Sequence, residues 1–135
     1  MRKLVALAAL ALTVSCDATT AVTFDAEAGT YTLLSINNDA LPAPFDDDGS
    51  TVTVTAGSMV LNANGTFSYS QTSSNGTDAI SGKFTKNGDT YTFDPDEVAG
   101  EGPQDNGSGV ISGTTLTLTT GSSASGIDVR VYQKS

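Results

Sequence analysis

Gly82-Lys83-Phe84-Thr85-Lys86-Asn87-Gly88-Asp89-Thr90-Tyr91-Thr92-Phe93 is the stretch that decides the fold. On both sides of Asn87-Gly88, Thr or Lys alternates with an aromatic ring. Each flank therefore has one apolar and one wet face, the period-two pattern of a half-buried strand. Asn-Gly between two such flanks signals a tight hairpin turn, because these residues tolerate positive φ best. The unit recurs without gaps at Gly107-Ser108-Gly109-Val110-Ile111-Ser112-Gly113-Thr114-Thr115-Leu116-Thr117-Leu118, keeping both glycines and the Thr-apolar-Thr-apolar strand. Asn64-Gly65-Thr66-Phe67-Ser68-Tyr69 echoes its second half. A hairpin with one apolar face cannot bury that face alone, so the copies must pack around a common interior.

Outward from this unit, the same alternation predicts strands at Thr30 to Asn37, Thr51 to Thr55, Ser58 to Ala63, Thr66 to Thr72, Ala79 to Thr85, Thr90 to Asp94, Gly109 to Ser112, Thr115 to Thr119 and Ile127 to Lys134. No helix of useful length is expected. Two-residue turns are expected at Asn64-Gly65 and Asn87-Gly88, with a slightly longer one at Asn75-Gly76. Each turn joins sequence neighbours, and a meander of about eight to nine strands without long crossovers removes its exposed edges by closing. The prediction is all-β: an up-and-down antiparallel β-barrel. Its inward set is Tyr31, Leu33, Val52, Val54, Phe67, Tyr69, Ile80, Phe84, Tyr91, Phe93, Leu116, Leu118, Ile127, Val129 and Val131. Leu34 and Ile36 fall out of phase with Tyr31 and Leu33, which places a bulge or bend near Leu34.

The chain opens with Met1-Arg2-Lys3, an apolar run from Leu4 to Leu12, and Thr13-Val14-Ser15-Cys16, where Cys16 is its single cysteine. A basic start, a short apolar run and small residues before a cysteine read as a lipoprotein signal: residues 1–15 are removed and Cys16 becomes an acylated N-terminus. The alternative is an ordinary secreted protein cut nearby, with Cys16 a bystander. Residues 16–28 are small and acidic and are expected to be a flexible tether, leaving 29–135 for the barrel. The expected location is the cell envelope, lipid-anchored and facing the periplasm or exterior.

The whole chain of 135 residues carries a formal charge of −9. Losing residues 1–15, with Arg2 and Lys3, leaves 120 residues with 4 basic and 15 acidic side chains, a formal charge of −11. Such a surface repels nucleic acid and anionic headgroups, so membrane attachment falls to the acyl chains. There is no histidine and no tryptophan. With Cys16 acylated, the usual Ser-His and Cys-His nucleophile pairs and the common zinc and haem ligand sets are excluded.

Two acidic stretches remain. Phe45-Asp46-Asp47-Asp48-Gly49-Ser50 resembles the start of a calcium loop, but that form needs acids at alternate positions ending in a Glu and nothing suitable follows Gly49, and Asp94-Pro95-Asp96-Glu97, with Glu101 and Asp105, lies on a second loop. Both are read as solvated loops, with no metal or cofactor. A glycoside-hydrolysing carboxylate pair would need aromatic platforms that this chain spends on its core, so no enzyme activity and no catalytic residue is expected.

Taken together, Gly29-Thr30-Tyr31-Thr32-Leu33, Leu41-Pro42, Asn64 to Phe67, the Gly82 to Phe93 hairpin and the final Arg130-Val131-Tyr132 resemble bacterial lipocalin-like domains found behind lipoprotein signals. The resemblance covers about residues 29 to 135. It implies a lipocalin-like barrel with one end closed by an aromatic residue of the first strand under a basic residue of the last, here Tyr31 and Arg130. Alternation with Val129 and Val131 equally allows Arg130 to be a solvated outward charge.

The leading functional expectation is a non-enzymatic envelope lipoprotein whose barrel holds a small apolar ligand, lined by Phe67, Tyr69, Phe84, Tyr91, Phe93, Leu116 and Leu118, or is simply filled. The rival is a protein-recognition module, such as a protease inhibitor or surface adhesion unit, acting through the rim loops at Asn38 to Ser50 and Asp94 to Ser108. Composition leaves the oligomeric state open.

Overall fold

Ten antiparallel strands form one sheet in a computed structural model that describes residues 21–47, 49–97, 106–122 and 126–135. They are β1 (Gly29–Ile36), β2 (Asp39–Ala40), β3 (Ala43–Asp47), β4 (Ser50–Leu61), β5 (Thr66–Ser73), β6 (Gly76–Asn87), β7 (Thr90–Pro95), β8 (Gly107–Ser112), β9 (Thr115–Ser122) and β10 (Gly126–Lys134). From β4 to β10 each strand pairs with its successor, and β1 pairs with both β10 and β4. That double pairing closes an eight-stranded up-and-down barrel, a geometry that fits a lipocalin-like architecture, with β2 and β3 as additional strands.

Closure works because β4 changes partner along its length. Its first half, Ser50 to Val54, pairs with β3, and its second half, Ser58 to Leu61, pairs with β1. A register shift between Val54 and Ala56 bends the strand from one partner to the other, and it fuses two strands that the sequence pattern separates. The bulge expected near Leu34 is present: Leu33 pairs with Tyr132 but Ser35 with Val131. Leu34 therefore points outward, 48% exposed, and Ile36 returns to the interior fully buried.

Turn positions differ from expectation by a residue or two. Asn87 is a strand residue paired with Thr90, so the two-residue turn is Gly88-Asp89, in which only Gly88 takes positive φ, at 62°. Its repeat partner does the same at Gly113-Thr114, where Gly113 has φ 60°. Substituting Ala for Gly88 or Gly113 should cost about 1 kcal/mol each, the penalty of a side chain in the left-handed region, read as a lowered urea midpoint. Asn64-Gly65 lies in a four-residue connection, with Gly65 N–H donating to Asn62 C=O (3.0 Å) and Asn64 Oδ1 accepting from Thr66 N–H (3.1 Å). Ser74-Asn75, not a longer loop, joins β5 to β6. The turn in which both central residues have positive φ is Asn37-Asn38 (51° and 72°), between β1 and β2.

Most of the expected inward set is buried, including Tyr31, Leu33, Val52, Val54, Phe67, Tyr69, Phe84, Tyr91, Phe93, Leu116 and Leu118, with Ile80 half-buried against them. The last strand has the opposite phase. Arg130 and Tyr132 point inward, at 8% and 0% exposed, while Ile127, Val129 and Val131 face out, Ile127 at 59%. The ring of Tyr132 offers more apolar area than a valine, and burying it sets the phase of the whole strand, because a one-residue slip moves every side chain to the other face.

The segment Asn38 to Ser50, expected as a loop, is largely strands β2 and β3. Asp46 does not stand ready for a cation: its Oδ1 accepts the Gly49 N–H (2.8 Å) and caps the β3–β4 turn. No cluster of three or more potential metal ligands occurs among the described residues. Cys16, the leader, Glu101 and Asp105 lie outside the described residues.

Candidate functional site

Strand directions sort the barrel into two ends. The lower end carries the start of β1, the Gly88-Asp89 and Gly113-Thr114 turns and the end of β10. The upper end carries the Asn37-Asn38 and Ser74-Asn75 turns, the ends of β7 and β9 and the starts of β8 and β10.

The lower end is plugged by Phe24 to Ala28, residues the sequence pattern assigns to the tether. Phe24 N–H donates to Ala63 C=O (2.9 Å), and the N–H groups of Glu27 and Ala28 turn back onto Phe24 C=O (3.1 and 2.9 Å). The turn tucks the Phe24 ring against Phe84, with centroids 4.7 Å apart. It also places the Glu27 carboxylate, 9% exposed, across the barrel end. Glu27 Oε1 accepts from Lys86 Nζ (2.9 Å) and from Tyr91 Oη (2.6 Å), and Tyr31 Oη donates to the Glu27 carbonyl (2.7 Å). The Tyr91 bond, helped by Lys86, outweighs burial and holds the Glu27 carboxyl below its ordinary value. Burial first, and Glu27 second, raise the Tyr31 phenol, and burial with the Glu27 bond raises Tyr91. The buried carboxylate at this end thus has both a cation and a phenol as partners.

Arg130 is not the residue that closes over Tyr31. Tyr31 pairs with Lys134, whose Nζ stands 5.8 Å from the Tyr31 ring and donates to Ala26 C=O (2.9 Å), whereas Arg130 pairs with Ile36 at the other end of β1. The two cations lie four positions apart on β10, and only Lys134 reaches the lower rim. The expected basic-over-aromatic contact is thus made, by a different residue, between the first and last strands of the barrel.

Arg130 instead lies inside the upper half. Its guanidinium stacks between the Phe45 and Tyr69 rings, 5.0 and 5.5 Å from their centroids. Nη1 donates to Tyr69 Oη (2.8 Å), and Tyr69 in turn donates to Gln71 Oε1, a side chain 5% exposed. Arg130 Nε is buried without a hydrogen-bond partner, and so is Tyr132 Oη. The ion pair between Lys86 and Glu27 is the one found among the described residues, so no described carboxylate neutralises Arg130. Burial drives the Tyr69 phenol well up, with Arg130 pulling it down and Tyr132 and Asp78 adding to the rise. It lifts Tyr132 to about 12, Arg130 again opposing. Both tyrosines stay neutral donors near neutral pH.

The residues expected to line a ligand cavity divide between these halves. Phe67, Phe84, Tyr91 and Phe93 pack on one another, with centroids 5.4 Å (Phe67–Phe93), 5.8 Å (Phe84–Phe93) and 6.4 Å (Phe84–Tyr91) apart. Leu116 and Leu118 join the same core at 0% and 4% exposed. Tyr69 alone of the set belongs to the polar upper chain. An open groove of about 320 Å³ runs over Ser58, Val60, Ser68, Ser70, Ala79 and Ser81 and reaches Tyr69 and Ile80.

The signal for the upper site was present in the sequence as Arg130-Val131-Tyr132, two polar-headed residues sharing one phase of a strand. Gln71, two residues after Tyr69 on β5, carries the matching signal. Comparison with protein-family models and with curated proteins gives no match.

Proposed function

We propose that the chain is a non-enzymatic lipoprotein of the cell envelope, acylated at Cys16, whose lipocalin-like barrel takes a small, largely apolar ligand into its upper half. The observation that carries this reading is the contrast between the two ends. At the lower end a buried carboxylate has a cation and a phenol as partners. At the upper end a buried guanidinium has none of opposite charge among the described residues, and two buried donor atoms are unused. A stable domain gains nothing from leaving buried donors unpaired, each costing about 1–3 kcal/mol, whereas a binding site keeps such atoms for its ligand. The packed aromatic core below limits that ligand to a small one. The leader, the position of Cys16 and the acidic surface support an anchor made by acyl chains.

Native mass spectrometry of the protein purified from its own host tests both parts. The expected spectrum shows a chain starting at Cys16, heavier by its acyl groups, together with a population carrying one small molecule that leaves on gentle activation. A bare protein mass in every preparation would refute ligand binding, and an unmodified Cys16 would refute the anchor.

A further inference from the structure

The chemistry of the upper site narrows the ligand, an inference that rests on the ligand-binding reading above. We infer that Arg130, with Tyr132 beside it, recognises the carboxylate of a short-chain monoanionic amphiphile. Nη1 is committed to Tyr69, and Nε is buried with no partner among the described residues. Nε and Nη2 form one edge of the guanidinium, whose spacing matches the two oxygens of a carboxylate. The Tyr132 hydroxyl, fully buried and unpartnered, supplies a third donor.

Charge fixes the valence. One buried cation balances one negative charge, while a phosphate dianion would bring a surplus charge into a low-dielectric lumen of a protein that, without residues 1–15, is already at −11. Packing fixes the length. Beneath Arg130 the fully buried Tyr132, Tyr31 and Leu116 occupy the interior, so the tail runs from the guanidinium toward the half-buried Phe45 and the upper rim. The stacking of Phe45 on Arg130 covers the site when the ligand is absent, and a tail of a few methylenes replaces that cover with equivalent apolar contact.

Isothermal titration of the purified protein with octanoate, octanol, octylammonium and acetate tests this. Octanoate should bind at least about tenfold tighter than octanol or octylammonium, as a charge-assisted hydrogen-bond pair predicts. Acetate should bind far more weakly than octanoate, since it lacks the tail. Arg130→Met should reduce octanoate to the octanol level, and Tyr132→Phe should weaken it several-fold, with both variants showing a cooperative thermal transition. Acetate matching octanoate would overturn the amphiphile and leave a small carboxylate. Octanol matching octanoate, unchanged in Arg130→Met, would overturn anion recognition while leaving a barrel that binds apolar molecules. No binding of any probe by a protein that leaves its host with a bound small molecule would overturn this inference alone, and no binding by a protein that leaves its host bare would overturn the ligand-binding reading as well.

Discussion

Arg130→Met should leave the protein more stable than the native chain, by about 1–2 kcal/mol, raising the melting temperature by roughly 5–10 °C for a domain of this size. An interior arginine that served the fold would give the opposite sign. Methionine keeps most of the volume between Phe45 and Tyr69 and their apolar contact, so no large cavity opens. What is removed is a charge held away from water with no described carboxylate against it, and an Nε without a partner. Replacing buried charges by apolar groups of similar volume is often neutral or stabilising. One bond is lost, that from Nη1 to Tyr69, but Tyr69 keeps its own donation to Gln71. The acidic surface attracts Arg130, yet salt screens that attraction beyond about 10 Å and leaves it short of the desolvation cost. Calorimetric melting of the two proteins without ligand decides the sign, and a fall of several degrees in the variant would mean that Arg130 holds the barrel together. Stability given up at a binding site is the expected pattern where function needs an unfinished core.

The barrel was legible because its signal is redundant. The repeated hairpin, the alternation in each strand and the phase break at Leu34 all demand closure around one interior, and an error at one turn leaves the others intact. The Asn87-Gly88 turn moved by one residue without altering which faces of β6 and β7 are buried, since Phe84, Tyr91 and Phe93 fix the phase. The last strand lacked that redundancy. Ile127, Val129 and Val131 make an apolar phase as regular as the true one, and only the size of Tyr132 and the contacts of Arg130 with β3 and β5 decide between them. Those contacts are long-range, and the β3 segment has the sequence pattern of a loop because Pro44 and three successive aspartates suppress a strand signal. As an added strand beyond the closed barrel, β3 has one unpaired edge, where Pro is tolerated. The plug escaped for a related reason. Phe24 and Glu27 lie in a stretch whose composition says tether, and only the geometry of the barrel end shows that Lys86 and Tyr91 await a carboxylate.

Truncating Glu27 to Ala should destabilise the protein by about 2–4 kcal/mol, because it strips the lower end of the acceptor that completes it. The buried Tyr91 hydroxyl loses its partner, which alone costs about 1–3 kcal/mol. Lys86 also loses its counter-ion, a smaller effect because its side chain is 41% exposed and water takes over much of the loss. Glu27→Gln keeps the volume and an acceptor for Tyr91 but not the charge, and should fall between the variant and the native chain. The charge part has a pH signature. The Glu27 carboxyl is lowered from 4.5 on folding, chiefly by Tyr91 and then by Lys86. Between its folded and unfolded values the unfolded chain binds more protons, so stability rises with pH there. The contribution is whole above 4.5 and is lost as pH falls through the lower folded value. Comparing urea midpoints of native and Glu27→Gln proteins cancels the other carboxylates. The gap between them should be widest near neutral pH and shrink on acidification below 4.5. A gap that stays constant with pH would show that Glu27 acts through packing and hydrogen bonding alone, with its charge contributing nothing to closing the barrel.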